Sequence, residues 1–236
     1  GTHTDIENKT KIADLLRYKT TKSDGRWKSL KQYAEDMQPD QKEIYYITGE
    51  SLSALLNSPL LEQLKSKDFE VLLMTDPIDE WVTQALTEYD GKKLKSAEKG
   101  DLDLDKVDEE KKGKYETLFK HIRAKLEDTI KEVRPSTRLT DSVACLSGNT
   151  YDMSGYMEKI LKSAGQNPPE SKRVLELNMT HPVMDKINGM FEADKKDPKL
   201  DDYIQLLLDL AVIGEGGKLN DPSRFSKLVG NLMAGV

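Results

Sequence analysis

Two short stretches decide how this chain is read: Ile44-Tyr45-Tyr46-Ile47-Thr48-Gly49 and, further on, Val71-Leu72-Leu73-Met74-Thr75-Asp76-Pro77. Each begins with an unbroken apolar run and ends on turn-forming residues. Runs this short and this apolar predict strands covered on both faces. Between them, Leu52, Leu55 and Leu56, then Leu60, Leu61 and Leu64, give a helical pattern from Ser51 to Lys65 with a break near Pro59. Asp76-Pro77 predicts another helix start, because Asp caps the free first-turn amides and Pro needs no donor at the first helical position. Strand, helix, strand, helix at these lengths predicts a parallel pair with a right-handed crossover.

Upstream of this unit, Ile12, Leu15 and Leu16 predict a short amphipathic helix after Asp5. The opening Gly1-Thr2-His3-Thr4 has no initiator methionine and reads as a processed or recombinant fragment. Downstream, Lys92 to Lys114 is almost wholly Lys, Asp, Glu and Gly. So polar a stretch buries too little apolar area to offset its ordering entropy. It predicts a linker over residues 99–113, between a first domain at 1–98 and a second at 114–236. In the second domain the pattern gives a helix from Tyr115 to Ile130, with Leu118, Phe119, Ile122 and Leu126 on one face. Strands follow at Val133–Leu139 and Ser142–Leu146, joined near Thr140-Asp141. A helix at Asp152–Ser163 stops at Gly165 ahead of Pro168-Pro169, and Arg173–Leu177 is a third strand. Helices then run from Pro182 to Ala193, Leu200 to Ile213 and Ser223 to Met233. The expected fold class is α/β followed by α+β: a small βαβ-type subdomain, then a mixed helix and small-sheet domain ending in a helical hairpin.

The composition narrows the function. A net charge of −6 argues against general nucleic-acid binding, which needs a basic surface. The apolar runs are too short to cross a bilayer, and no segment reads as a secretory signal. Cys145 is the only cysteine, so intramolecular disulfides and cysteine-rich zinc sites are excluded; its apolar neighbours predict a buried thiol. The histidines are His3, His121 and His181, without metal-ligand spacing, and there is no HExxH, GxSxG or glycine-rich phosphate loop. The Thr48-Gly49 and Asp76-Pro77 turns leave one alternative open, a small α/β enzyme domain that holds a phosphate at a helix start.

Two apolar stripes are candidates for function. The residues from Leu200 to Ile213 spread apolar groups around most of a helix, including Ile204, Leu207, Leu208 and Ala211. Phe225, Leu228, Val229, Leu232 and Met233 follow at i, i+3, i+4, i+7 and i+8. Either one chain covers these stripes, or two copies meet as a four-helix bundle. The second stripe is Met153, Tyr156, Met157, Ile160 and Leu161. It is either core or an adaptable surface, since methionine suits varied apolar partners. Trp81, beside Glu80, likewise reads as core or as a contact for a protein partner.

Several segments together resemble the heat-shock-protein-ninety chaperones. They are Lys42-Glu43-Ile44-Tyr45-Tyr46-Ile47-Thr48-Gly49-Glu50-Ser51 and Phe69-Glu70-Val71-Leu72-Leu73-Met74-Thr75-Asp76-Pro77-Ile78-Asp79-Glu80-Trp81. Arg138-Leu139-Thr140-Asp141-Ser142, Asp152-Met153-Ser154 with Met157-Glu158-Lys159, and Leu175-Glu176-Leu177-Asn178 before His181-Pro182 extend the match in order from about Lys11. The resemblance implies the last part of a middle domain followed by a dimerisation domain. It places the ATPase site upstream, so no catalytic residue, metal or cofactor is expected in this chain, and ATP and magnesium are expected for the full-length protein only. It implies a homodimer through Ile204, Leu207, Leu208, Ala211, Phe225, Leu228, Val229 and Leu232. It also implies a surface for unfolded client proteins at Glu80, Trp81, Gln84, Met153, Tyr156, Met157, Ile160 and Leu161, with Gln84 only a similar residue in the family pattern. The ending Leu232-Met233-Ala234-Gly235-Val236 lacks the acidic tail of cytosolic eukaryotic members and resembles the bacterial type. The resemblance therefore implies a stress-response chaperone of the bacterial cytoplasm. A purely structural dimerisation module stands beside it as an alternative.

Overall fold

The structure is a computed structural model and describes residues 8–168 and 171–234. The readings placed on residues 1–5, Pro169, Gly235 and Val236 lie outside the described residues. The chain forms two compact units: Gly1–Leu102 with Gly148–Ser171, and Asp103–Ser147 with Lys172–Val236. Both mix helix and sheet.

In the first unit, α1 (Lys9–Leu15) leads into β1 (Arg17–Thr20), β2 (Lys28–Ser29) and α2 (Leu30–Glu35). Then come β3 (Ile44–Thr48), α3 (Leu52–Leu56), a 3-10 turn (Pro59–Leu61), α4 (Glu62–Ser66) and β4 (Val71–Met74). The rest is α5 (Asp79–Ala85), β5 (Glu88–Tyr89) and β6 (Lys92–Ser96). The strands make one sheet in the order β2-β1-β4-β3-β6-β5. β3 pairs in parallel with β4 from Tyr45↔Val71 to Thr48↔Met74, the pair the two opening stretches predict. Both strands are buried almost throughout. On one side Ile44, Tyr46, Leu72 and Met74 pack with Leu30, Tyr33 and Val82; on the other Tyr45 stacks on Phe69 with ring centroids 6.0 Å apart. The fully buried Tyr33 hydroxyl accepts from the Tyr45 amide at 3.1 Å and from Gln41 at 2.8 Å, and donates to the Glu70 carbonyl.

The polar run from Lys92 is less of a linker than its composition predicts. β6 pairs in parallel with β3, at Ile44↔Leu94 and Tyr46↔Ser96. A strand in this position draws its order from the backbone ladder, to which side-chain polarity is indifferent. Helix α5 also starts two residues after Pro77. The Asp76 carboxylate accepts from the Ile78 amide at 3.1 Å and so closes a turn before the helix rather than capping it.

The second unit opens with α6 (Glu109–Lys125), which begins inside the stretch 99–113. Asp108 caps it, accepting from the amides of Glu110 and Lys111 at 3.1 Å each, and Glu109 and Glu110 suit the positive helix end. Burial along α6 starts only at Tyr115, which is why apolar periodicity detects the helix late. β7 (Ile130–Pro135), β8 (Ala144–Ser147) and β9 (Arg173–Leu177) form a sheet ordered β7-β9-β8. β7 and β8 are therefore not hairpin partners across Thr140-Asp141. β9, buried from Val174 to Leu177, lies between them, parallel to β7 and antiparallel to β8. Cys145 is buried in β8. α8 (Pro182–Ala193), α9 (Pro198–Gly214) and α10 (Pro222–Met233) complete the unit, each with proline in its first turn.

The helix over the Met157 stripe, α7 (Gly155–Ser163), starts three residues later than the pattern predicts, with Ser154 as its cap. It belongs to the first unit, although β8 before it and β9 after it belong to the second. The compact units thus cut the chain differently from a linear split at 1–98, 99–113 and 114–236.

Candidate functional site

Helix α7 is held at its N-terminal end by polar ties. Ser154 Oγ accepts from the Met157 amide at 2.9 Å and donates to Glu80 Oε1 at 2.6 Å. The Gly155 amide donates to Glu98 Oε1 at 3.0 Å. The Tyr156 hydroxyl donates to the Thr75 carbonyl at 3.0 Å, and Lys159 reaches Glu50 at 3.4 Å. Ser154, Glu80 and Glu98 are buried, yet no residue of α7 itself is. Tyr156, Met157, Ile160 and Leu161 are half-buried, as is Met153 just ahead of the helix. Trp81 is half-buried and Gln84 is exposed. Glu80 stands apart from these: at 3% exposure it has no surface to offer a partner.

Asp79, the neighbour of Glu80, is buried as well. Burial pushes its carboxyl up from the ordinary 3.8 to about 6; the Asp76 amide donating to it works against this, and the charges of Asp76 and Glu80 add to it. Sequence reasoning missed this cluster, although three carboxylates within Asp76-Pro77-Ile78-Asp79-Glu80 are a visible signal.

At the other end of the chain the stripe divides. Ile204, Leu207, Leu208 and Ala211 are buried in the second unit's own core with Leu118, Ile122, Leu175 and Phe191. Leu228 is buried too, while Phe225 and Val229 are half-exposed. Leu210, Ile213, Leu232 and Met233 are left at 43, 45, 41 and 85% exposure. The uncovered apolar surface is thus the outer edge of α9 and the end of α10.

Beneath that core lies a buried charge network that sequence reasoning also missed. Glu176 Oε1 accepts from Arg134 at 2.8 Å, Arg138 at 3.2 Å and Ser147 at 2.8 Å, and Oε2 accepts from Ser136 at 2.9 Å. Burial pushes the Glu176 carboxyl up, but the charges of Arg138 and Arg134 and the hydrogen bonds outweigh it and hold it below its ordinary range. A glutamate inside the apolar run Val174-Leu175-Glu176-Leu177 was the available signal.

Polar groups elsewhere serve the fold. His181 Nδ1 accepts from the Val183 amide at 3.2 Å and caps α8, and His121 packs on Phe191 with ring centroids 5.1 Å apart. Around the turns considered for phosphate, Ser51 Oγ takes the Ala54 amide at 3.2 Å and the Asp76 carboxylate takes that of Ile78. Among the described residues, no group of three or more His, Cys, Asp and Glu side chains is placed to hold a metal ion.

A family model described as Hsp90 protein matches residues 1–235. The chaperone protein HtpG of Geobacter metallireducens and that of Geobacter sulfurreducens are each 46% identical over 244 residues, covering 99% of this chain and 37% of the relative. HtpG of Frankia casuarinae is 41% identical over 239 residues, covering 98% of this chain and 37% of its own. The chain therefore spans a little over a third of the length of these curated relatives. Close similarity over nearly every residue, across a mixed α/β fold, leads to one statement: the chain belongs to the Hsp90 family.

Proposed function

We propose that this chain is the part of an Hsp90-family chaperone that joins two copies and offers a surface to non-native proteins. One observation carries the reading. α7 has no fully buried residue and α10 buries only Leu228, while α6, α8 and α9 bury most of their apolar residues. Contiguous exposed apolar residues mark interaction surfaces. The edge of α9 at Leu210 and Ile213 and the end of α10 at Leu232 and Met233 suit a second copy, two hairpins closing a four-helix bundle with twofold symmetry. α7, with Met157, Ile160 and Leu161 only partly buried, suits unfolded client chains, together with the partly buried Trp81 and the exposed Gln84 of α5. ATP binding and hydrolysis are assigned to the portion of the relatives that this chain does not span, and the bacterial cytoplasm is the compartment the reading implies. No helix among the described residues is long and apolar enough to cross a membrane.

Light scattering over a dilution series tests self-association. The expected result is a dimer that Leu232→Asp converts to a folded monomer; wild-type monomer at every concentration overturns the reading. Leu232 is the position to change because it is exposed, whereas a charge at the buried Leu207 would disrupt the core. For the client surface, replacing Met157 and Leu161 together by serine is expected to weaken binding of reduced, carboxymethylated lactalbumin several-fold, with the unfolding midpoint nearly unchanged.

A further inference from the structure

We propose that Glu80 and Glu98 are positioning residues that set α7 as a presenting surface, and that Glu80 does so through Ser154 without touching a client. The inference rests on the client reading of α7. It differs from what the resemblance implies, which groups Glu80 with the contact residues.

The geometry is specific. Glu80 is the second residue of α5 and Glu98 follows β6, so both stand on elements fixed by the six-stranded sheet. Glu80 is 3% exposed and Glu98 6%. Their Oε1 atoms receive two neighbouring groups at the start of α7: the Ser154 hydroxyl at 2.6 Å and the Gly155 amide at 3.0 Å. The same Ser154 oxygen accepts the Met157 amide at 2.9 Å. Glu80 therefore fixes the hydroxyl that fixes the first turn, and Glu98 takes an amide that the helix cannot satisfy internally. Acidic groups at this end also suit the helix dipole. Beyond this turn, α7 has no fully buried residue to anchor it. A helix with so little apolar cover draws its order from the ties at its ends. Holding the first turn also sets the rotation of the helix, and so decides whether Met157, Ile160 and Leu161 face outward together.

The test is a double-mutant cycle on the whole chain with Glu80→Ala, Ser154→Ala and the pair, following two readouts. One is hydrogen exchange of the α7 amides; the other is binding of reduced, carboxymethylated lactalbumin. Each single change is expected to speed α7 exchange about tenfold, the worth of a charge-assisted hydrogen bond. Client binding is expected to weaken in step, while exchange in β3 and β4 is unchanged. The pair should match the worse single variant within about twofold, because both act on one tie. Glu80→Gln keeps an acceptor for the Ser154 hydroxyl and should restore most of both readouts. It also guards against a folding defect in the alanine variant. Weaker binding with α7 exchange unchanged, or effects that multiply in the pair, would make Glu80 a direct contact and overturn the proposal. Faster exchange with binding unchanged supports the tie and overturns the client reading of α7.

Discussion

Helices α7 and α9 are both rich in apolar residues, in one stripe on α7 and around most of the circumference on α9, and the structure uses them in opposite ways. In α9, Ile204, Leu207, Leu208 and Ala211 disappear into the core of the second unit. In α7, Met157, Ile160 and Leu161 are only half-buried, and the helix is fastened through Ser154, Gly155 and Tyr156. The contrast separates two ways of ordering a helix. Apolar burial stabilises broadly and tolerates the loss of any one polar group. Polar ties at one end are local, directional and easily undone.

The same contrast extends to the buried charges. Glu176 sits among two arginines and two serines that compensate it, whereas burial pushes Asp79 towards its neutral form. The largest expected effect comes from breaking the compensated network. Glu176→Ala removes the carboxylate that Arg134 and the fully buried Arg138 both donate to, and should cost about 3–5 kcal/mol in denaturant unfolding of the second unit. A loss under about 1 kcal/mol would show that the network contributes little. Next, Leu207→Ala should cost about 2–5 kcal/mol, while Leu161→Ala in α7 should cost less than about 1 kcal/mol. Equal losses at the two positions would break the distinction between the helices.

The smallest expected effect sharpens it through pH. Asp79 is raised from 3.8 to about 6 in the folded state. Its folded form binds the proton more tightly than the unfolded chain, so its contribution is fully present below about pH 4 and is lost as pH rises through about 6. Glu176 has the opposite sign: its folded-state pKa is lowered from 4.5, so its contribution is present above that value and is lost on acidification below it. Asp79→Asn should therefore stabilise the first unit at pH 8 by about 1–2 kcal/mol and leave its stability at pH 4 nearly unchanged. Thermal unfolding at the two pH values measures it. Equal gains at both would mean that the proton on Asp79 is irrelevant.

Much of this molecule was legible in the residues. β3, β4 and β9 are apolar runs covered on both faces, and pattern alone located them to within a residue or two; α8 to α10 announced themselves by their apolar residues, although α9 and α10 begin at Pro198 and Pro222, a little ahead of the pattern. β6 was not legible, because Lys92-Lys93-Leu94-Lys95-Ser96 owes its strand to the ladder beside β3. The front of α6 was hidden for a related reason, since its exposed first turns carry no apolar period. In the candidate site, periodicity located the Met157 stripe but not what lay beneath it. The Glu80–Ser154 and Glu98–Gly155 ties join residues far apart in the chain, and no local pattern encodes them. For α9 and α10, spacing could not say which apolar residues this chain covers itself. The structure divides them at Leu207 and Leu208, buried, against Leu210, Ile213 and Leu232, open.

The path of the chain around α7 has one further consequence. The segment that carries it leaves from β8 and returns to β9, and those two strands are paired neighbours. A freed α7 would stay leashed at both ends by its own chain, so its return is an intramolecular event. Return would be a first-order step that dilution cannot slow. Such a helix can be let go and taken back many times while the elements that carry Glu80 and Glu98 remain folded.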